Sequence, residues 1–296
     1  MYSSTDLYNW KNEGIIALDE NDPESPFYPA RIMDRPHIVY CEKTKKYVMW
    51  AKIAELLTEN TSFSNGYYAV CVSDKINGKY ELVRKETAGV PGDFDLVIDG
   101  EKCYIIFEKP HTEMLCTTLS DDFTEFTDEQ SSHLPYPYPP FVREAPAFFE
   151  RKGRKFLLTS GTTGYYPNKS EFAEIKEFHG EWKELGNACK GDIKNNSFHA
   201  QFSSVFRHPK KKDLYICFGD RWLVDIPENF GGADKIFESW FNPNAKYRYG
   251  ADALNGISDE NTSLAQYVWL PLKFDENGNP YIEWTNEWRI EDYEDM

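Results

Sequence analysis

The stretch Asp34-Arg35-Pro36-His37-Ile38-Val39-Tyr40 begins with a polar residue and continues into an apolar run that is typical of a β-strand. Three further openings of the same kind begin at Asp93, Glu144 and Gln201, so that successive openings are 51 to 59 residues apart. Each opening is followed by a second apolar run, at residues 47–50, 103–107, 155–158 and 214–218. A period of about 50 residues with several short strands per unit is typical of a propeller blade. The sequence therefore predicts an all-β propeller.

The shared position of the four polar residues predicts a functional site. In a propeller the first strand of each blade lines the central channel. Side chains at equivalent positions of successive first strands would therefore converge on one point. On this argument the candidate active-site residues are Asp34, Asp93, Glu144 and Gln201.

The repeats also predict the domain organisation. No Gly/Ser-rich or Pro-rich linker separates the strands, so we expect residues 1–296 to form a single propeller domain. Residues 1–20 resemble the end of the second repeat and are predicted to be part of an incomplete first blade of five. The four full blades are predicted at residues 31–90, 92–140, 141–196 and 197–296.

Two details of this organisation are specific enough to be checked. In the second blade the apolar pattern predicts strands at 94–98, 103–107 and 114–119 and a short last strand at 123–126. In the fourth blade a long insert at about 225–262 is rich in Gly, Asn and Asp. Such inserts are surface excursions and sometimes form the wall of a binding site.

Composition restricts the class of partner. The chain has 33 Lys and Arg against 49 Asp and Glu, a net charge of −16, which disfavours nucleic acid as a partner because phosphate would be repelled. Aromatic residues make up 16% of the chain. Most of these rings are accounted for by packing within sheets, although the surplus also suits the binding of sugars, whose apolar faces stack on rings.

No pattern in the sequence predicts a metal, a cofactor or a membrane segment. The six cysteines include no Cys-x-x-Cys pair and the six histidines are scattered, so no metal or cofactor is predicted. No apolar stretch approaches the roughly 20 residues that span a bilayer. The N-terminal residues 1–7 lack the basic and apolar regions of a signal peptide, which predicts a cytoplasmic protein if Met1 is the true start.

Several motifs, in order along nearly the whole chain, resemble those of one enzyme family. The chain is similar to glycoside hydrolase family 43, the five-bladed β-propeller hydrolases, and most similar to the subfamily that contains exo-β-1,3-galactanases. The motifs that carry the resemblance are Tyr2–Leu7, Arg35–Tyr40, Tyr47–Trp50, Arg143–Ala147, Thr159–Gly164, Gly219–Trp222 and Tyr267–Leu272.

The resemblance implies a role for each candidate residue. Glu144 matches the general acid in the family's Arg-Glu-Ala-Pro motif, and Asp93 matches the aspartate that orients this acid and adjusts its pKa. Gln201 matches a glutamine that replaces the usual basic aspartate in the galactanase-like subfamily and is thought to act through its imidic tautomer. Asp34 matches the subfamily's glutamate in Glu-Arg-Pro and is one methylene shorter. Thr162 lies in a loop that contacts sugar in the family.

The chemistry of glycoside hydrolysis agrees with these roles. A protonated acid must stand beside the leaving oxygen, and a second carboxylate nearby raises the pKa of that acid by like-charge repulsion. The family is inverting, and inverting enzymes hold acid and base roughly 6.5–9.5 Å apart to admit a water. Opposite blades across a propeller mouth are expected to provide a gap of that size.

Each residue also has a purely structural interpretation. Asp34 could pair with Arg35 or cap a turn, Asp93 could be a turn acceptor, and Glu144 could be a partner of Arg143 on a surface edge. Gln201 alone carries almost no functional information. Trp222, a candidate stacking ring for the sugar, could equally be a core residue at the end of a strand. The repeated position and the motif matches together favour the functional interpretation.

The family's first blade typically begins well before Met1. In ordinary members the missing part carries the basic aspartate, and in the galactanase-like branch it supplies sugar contacts. We therefore expect an open wall at the site of this 296-residue chain and weak activity that upstream residues would restore.

Three classes of function follow from the sequence. The first is an inverting, exo-acting glycosidase for β-1,3-galactan or a related galactose-containing polysaccharide. The second is a family member that cleaves arabinofuranosides or xylosides. The third is a degenerate propeller that binds carbohydrate without catalysis, although a pure binding module would not need both Glu144 and Asp93.

Overall fold

A computed structural model describes residues 1–19, 21–29, 31–54, 66–87, 89–259 and 261–296. The described residues form 19 β-strands, one α-helix and short 3-10 turns. By its contacts the chain divides into two compact units, residues 1–110 with 116–130, and residues 111–115 with 131–296. The predicted all-β class is confirmed, while the single-domain organisation stays a prediction.

The first six strands of the chain form two sheets. A two-stranded sheet pairs β1 (Tyr2–Ser4) with β2 (Trp10–Asn12), in the region predicted to be part of the first blade. The next sheet contains, in chain order, β3 (Ile32–Cys41), β4 (Lys46–Ala54), β5 (Tyr67–Ser73) and β6 (Glu81–Glu86). The inner strands β4 and β5 are buried on both faces, which explains their continuous apolar runs, whereas β6 is exposed along most of its length.

A third sheet also keeps chain order. Its strands are β7 (Phe94–Asp99), β8 (Lys102–Lys109), β9 (Glu113–Leu119) and β10 (Phe126–His133). The first three lie where the sequence predicts them, but the prediction of a last strand at 123–126 is wrong. The Ser120 hydroxyl accepts hydrogen bonds from the backbone N–H groups of Thr124 and Glu125. The segment 120–125 is therefore a tight turn that precedes β10. Phe123, at φ 65, is buried in that turn.

The second unit contains two further sheets. One consists of β11 (Arg143–Arg151), β12 (Arg154–Gly161), β13 (Glu171–Ile175) and β14 (Trp182–Asn187). The other has the order β15 (Cys189–Lys190), β19 (Pro280–Glu283), β18 (Gln266–Phe274), β17 (Tyr215–Arg221) and β16 (Gln201–Arg207), with β15 parallel to β19. Rings and aliphatic side chains of these strands, including Phe156 and Phe202, form one buried cluster.

The insert between β17 and β18 has a small core of its own. It contains α1 (Asp234–Phe241), and Ala233 and Leu254 from the insert pack with Tyr166 and Leu223 in one buried cluster. Trp222 lies against the same cluster. The insert is therefore a folded element that supports the segment around Trp222. In the described part of the chain no helix is both long and apolar enough to cross a bilayer.

Four sheets of blade size are thus present among the described residues, together with the two-stranded sheet of β1 and β2. Each of the four begins with one of the repeated openings, and each places its strands in chain order except where β15 joins the last sheet. This meander within a four-stranded sheet is the arrangement of a propeller blade.

Candidate active site

Three of the four polar openings carry a β-bulge, which follows directly after Asp34 and Glu144 and one residue later after Gln201. The register of the first two strands shifts between Asp34 and His37, between Glu144 and Ala147, and between Phe202 and Ser204. In the first two cases the residue after the acid has a left-handed backbone, with φ 50 at both Arg35 and Ala145. A proline follows each of these residues, and proline is tolerated at a bulge because it has no N–H to donate to the ladder. A β-bulge bends the strand and changes the direction of the side chains beside it.

In the second unit the structure brings Glu144 and Gln201 together. Nε2 of Gln201 donates to Oε1 of Glu144 at 2.9 Å and to the hydroxyl oxygen of Ser160 at 3.0 Å. Ser160 is buried and lies directly opposite Glu144 in the β11–β12 ladder. Glu144, Ser160 and Gln201 therefore form one hydrogen-bonded group.

The orientation of the Gln201 amide is set by Trp222. The indole Nε1 of Trp222 donates to Oε1 of Gln201 at 3.2 Å. An indole N–H can only donate, so the amide oxygen must face it and the amide NH₂ must face Glu144 and Ser160. Trp222 is half-buried, and its ring centroid lies 5.5 Å from that of Tyr165.

A small polar cavity adjoins Gln201 on the side of Trp222. It measures about 10 Å³, enough for about one water molecule. His199, Gln201, Asp220 and Trp222 line it, together with the loop at 164–168. The pKa of His199 is lowered, mainly by burial. Its imidazole is therefore neutral near pH 7.

In the first unit Asp93 is a buried ion-paired carboxylate. Its two oxygens lie 2.9 Å from Nη2 of Arg35 and 3.2 Å from Nζ of Lys52. Burial acts to raise the pKa of Asp93, but attraction and hydrogen bonds from Arg35 and Lys52 outweigh it and hold the pKa below its usual value. Asp93 is therefore ionised at neutral pH.

Asp34 shares this environment. It lies opposite Lys52 in the β3–β4 ladder. Burial raises the pKa of Asp34, Lys52 lowers it, and the charge of Asp93 raises it. The balance leaves the pKa of Asp34 above its ordinary value, in contrast to that of Asp93. The two acids of the first unit thus differ in how readily they take up a proton.

The hydroxyl of Thr162 is used inside the fold. The residue is buried, its Oγ1 donates to the carbonyl of Val142 at 3.3 Å, and its N–H donates to the carbonyl of Pro140 at 3.1 Å. These contacts attach the loop after β12 to the segment before β11. Contact between Thr162 and sugar stays a prediction, as does the convergence of Asp34, Asp93, Glu144 and Gln201 on one cavity.

Sequence reasoning did not single out several residues that the structure ties to the candidates. Arg35 and Lys52 are the two cations that pair with Asp93, and Ser160 carries the hydroxyl that accepts a hydrogen bond from Gln201. His199 and Asp220 are the two titratable residues that line the small cavity. Three of them stand inside motifs that the sequence does reveal, because Arg35, Ser160 and Asp220 belong to the matched stretches. Nothing local in the sequence indicates Lys52 or His199.

No cluster of three or more His, Cys, Asp or Glu residues that could hold a metal ion occurs in the ranges that the structure describes. The polar groups found at the candidate site are carboxyls, amides, hydroxyls and cations. These are groups that transfer protons to oxygen and hydrogen-bond hydroxyls.

Comparison with known proteins decides the family. Residues 1–223 match the family described as glycosyl hydrolases family 43. The chain belongs to glycoside hydrolase family 43. No curated protein sequence matches it.

Solved structures of family 43 share the fold. A β-1,3-galactosidase of the family, in complex with galactodeoxynojirimycin, is 25% identical, with a TM-score of 0.77 over 98% of this chain and 86% of that one. A second β-1,3-galactosidase is also 25% identical, with a TM-score of 0.77 over 99% of this chain and 54% of that one. An exo-β-1,3-galactanase from Phanerochaete chrysosporium, with β-1,3-galactotriose, is 17% identical, with a TM-score of 0.68 over 95% of this chain and 55% of that one.

These comparisons confirm the propeller fold and the resemblance to the galactanase-like part of the family. The chain is a glycosidase of family 43.

Proposed function

We propose that this glycosidase removes galactose from the non-reducing end of β-1,3-galactan, or of a related galactose-containing polysaccharide, with inversion at the anomeric carbon. The observation that carries the proposal is the hydrogen bond between Gln201 and Glu144. Gln201 matches the glutamine that takes the place of the usual basic aspartate in the galactanase-like branch, and its amide stands beside the acid. The named substrates of the similar structures support the same class.

In the proposed mechanism Glu144 is the general acid. It gives its proton to the glycosidic oxygen as the bond from this oxygen to C1 breaks, and a water forms the new bond to C1 from the opposite face. This water gives up one proton to the nitrogen of Gln201 in its imidic tautomer. Gln201 lies on the side of that water, and Asp93 orients the acid. Asp34 is assigned to the hydroxyls of the terminal sugar. Thr162 and Trp222 are assigned to the walls of the sugar site.

The separation of acid and base sets a condition on this mechanism. Inversion needs roughly 6.5–9.5 Å between the two groups so that sugar and water fit between them. Nε2 of Gln201 is only 2.9 Å from Oε1 of Glu144. Substrate must therefore replace this hydrogen bond, and Gln201 must withdraw from Glu144 before it can act on a water.

Asp93 acts in this scheme as an anion of fixed charge. Because Arg35 and Lys52 hold it ionised, it does not exchange protons during the cycle at neutral pH. Its two cations also offset much of the like-charge repulsion that it could exert on an acid. We therefore assign Asp93 mainly to orientation and only secondarily to the pKa of Glu144.

The proposal is tested by products and by stereochemistry. The protein is incubated with β-1,3-galactan and with aryl β-galactoside, α-arabinofuranoside and β-xyloside, and the first-formed anomer is followed by proton NMR. We expect free galactose without oligosaccharide intermediates, and α-galactose as the first product. Preference for either pentoside would assign the chain to the second class of function. Sugar binding without hydrolysis of any substrate would assign it to the third.

A further inference from the structure

A second cavity lies at the end of the β11–β12 ladder, one residue beyond Glu144 and Ser160. Arg143 and Gly161 face each other in this ladder, directly next to Glu144 and Ser160. The cavity measures about 220 Å³ and lies within the second unit. This is below the 300–1,000 Å³ or so of sites for drug-sized ligands and suits a single sugar ring. Tyr136, Phe141, Arg143, Lys169, Glu171 and Asp234 are among the residues that line it.

The back wall of this cavity is held in place by Arg143. The guanidinium is buried and donates to Oγ1 and the carbonyl of Thr159, at 3.0 and 2.9 Å, and to the carbonyl of Lys169 at 3.2 Å. Its Nη1 also lies 3.3 Å from a carboxylate oxygen of Glu171. A planar guanidinium that donates to this many acceptors cannot reorient without breaking several hydrogen bonds. Glu171 is consequently fixed at the cavity wall.

A close backbone approach shapes the opposite wall. A side chain on Gly161 would place Cβ only 2.5 Å from the carbonyl oxygen of Pro140, so only glycine lets the loop before β11 lie against the end of β12. Asn168 fixes this contact from the other side, donating to the Gly161 carbonyl and accepting its N–H. The loop carries Tyr136 and Phe141, and Phe141 is 38% exposed. An aromatic ring is thus held at the cavity with part of its surface open.

The polar groups of the cavity balance in charge. Arg143 and Lys169 are cations, and both pair with Glu171. Asp234, the first residue of α1, supplies a second carboxyl group. Burial raises the pKa of Asp234 to about 6 because charges nearby only partly compensate for lost hydration. Two carboxyl groups would repel an anionic ligand and two cations would repel a cationic one, so the lining favours a neutral ligand that carries many hydroxyls.

We propose that this cavity is an accessory subsite that binds one neutral hexose residue of the polysaccharide, beyond the residue that is cleaved. Carboxyl oxygens of Glu171 and Asp234 accept hydrogen bonds from sugar hydroxyls, and the ring of Phe141 packs against the apolar face of the sugar. A chain that crosses the end of β11 and β12 would place one residue at Glu144 and another in the cavity. The identity of the polysaccharide in this inference rests on the proposed function. The preference for a neutral sugar rests on the lining of the cavity alone.

The inference is tested by measuring how a trisaccharide binds to a protein whose general acid has been replaced, so that the ligand is not hydrolysed. Glu144→Gln protein is titrated with β-1,3-galactotriose by calorimetry, alone and combined with Phe141→Ala or Asp234→Asn. We expect each added change to weaken binding of the trisaccharide roughly tenfold, the equivalent of one lost contact. Matched controls are Tyr247→Ala and Asp252→Asn, an exposed ring and an exposed carboxylate that do not line the cavity. The controls should leave the affinity unchanged.

Kinetics of the otherwise wild-type protein separate this inference from the proposed function. Phe141→Ala and Asp234→Asn should raise KM for galactotriose with little change in kcat, and should leave hydrolysis of an aryl β-galactoside unchanged because that substrate has no residue for the cavity. If the wild-type protein hydrolyses no galactoside but both variants still weaken binding of the trisaccharide, the proposed function falls and the subsite stands. Failure of the trisaccharide to bind, or equal affinity in all proteins, would overturn the subsite.

Discussion

The indole N–H of Trp222 donates to the amide oxygen of Gln201 at 3.2 Å, and this contact determines which end of the amide faces Glu144. A stacking role in sugar binding was one interpretation of Trp222, and a core role was the other. The structure adds a third role, because a half-buried indole at this point cannot accept a hydrogen bond and therefore excludes the flipped amide. Trp222 is therefore a positioning residue for Gln201.

Trp222→Phe should release the Gln201 amide while keeping an aromatic ring beside Tyr165. In the original orientation an N–H donates to Glu144, which favours the ionised carboxylate. In the flipped orientation the amide oxygen faces Glu144 and favours its protonated form. We therefore expect the basic limb of the kcat/KM profile to move to higher pH. Tyr165→Phe is the control, since it keeps the ring and the Gln201 contact. An unchanged profile in Trp222→Phe would contradict the positioning role.

The ion pairs of Asp93 predict that removing one of its cations lowers the free energy of unfolding by an amount that depends on pH. Lys52→Met leaves one oxygen of a buried carboxylate without its cation, and we expect unfolding in urea to show a loss of at least about 2 kcal/mol at pH 7. Because the folded pKa of Asp93 is depressed, its stabilising contribution is present above the unfolded value of about 3.9 and is lost as the pH falls through the folded pKa. The difference between the two proteins should therefore shrink in acid.

A double-mutant cycle provides the control for this prediction. Asp93→Asn removes the charge that Lys52 compensates, so the double variant should lose less stability than the sum of the two single variants. Additive losses would show that the Lys52–Asp93 contact at 3.2 Å contributes nothing of its own.

Part of this arrangement could be predicted from the sequence, and the remainder shows what limits such a prediction. The repeated openings identify the first strand of each sheet. They can be recognised because a polar residue recurs at the same place before each apolar run. The partner of Asp34 does not follow from the same pattern. Counting back from the pair Tyr40 and Tyr47 in a regular hairpin places Ile53 opposite Asp34, whereas the bulge shifts the register by one and brings Lys52 there. A one-residue shift thus conceals a cation that also pairs with Asp93.

The hydrogen bond from Trp222 to Gln201 is hidden for a different reason. The two residues lie near the ends of neighbouring strands, and their contact depends on side-chain directions that no periodicity encodes. The same holds for the small core of the insert, where α1 and Leu254 support the segment around Trp222. The composition of the insert predicts an exposed excursion, because Gly, Asn and Asp outnumber the few apolar residues that build its core.

His133 predicts a change of stability in weak acid. Its ring is stacked on Trp182 with centroids 3.9 Å apart, and its Nε2 lies 2.7 Å from the hydroxyl oxygen of Ser131. Burial lowers the pKa of His133 to about 4. As the pH falls from about 6.5, the unfolded chain takes up the proton before the folded protein does, so the stability should decrease down to about pH 4. The slope due to one proton is at most about 1.4 kcal/mol per pH unit.

His133→Asn keeps a polar side chain but cannot titrate. Urea unfolding at several pH values between 4 and 7 should therefore give a smaller slope for the variant than for the wild-type protein. Equal slopes in the two proteins would show that His133 is not the group responsible.

Two glycines provide a matched test of the packing before Asp93. A Cβ on Gly92 would lie 2.0 Å from the carbonyl oxygen of Glu108, while a Cβ on Gly231 would meet no atom within 4 Å. We expect Gly92→Ala to cost about 3 kcal/mol or more, because the backbone must move, and Gly231→Ala to change the stability by less than about 0.5 kcal/mol. Thermal unfolding of both variants checks this. Similar melting temperatures would contradict the close approach at Gly92.

The role of Glu144 is tested by substrates that differ in their need for an acid. Cleavage of a sugar–sugar bond requires protonation of a poor leaving group, whereas a dinitrophenyl group leaves without it. Glu144→Gln keeps a side chain of the same shape beside Gln201 but has no proton to give. We expect hydrolysis of β-1,3-galactobiose to fall by about 10²–10⁴-fold, and that of dinitrophenyl β-galactoside by much less. Ser160→Ala, which removes the neighbouring hydroxyl and leaves the acid, should reduce both reactions to a similar extent. Equal losses on both substrates in Glu144→Gln would instead assign this residue to sugar binding.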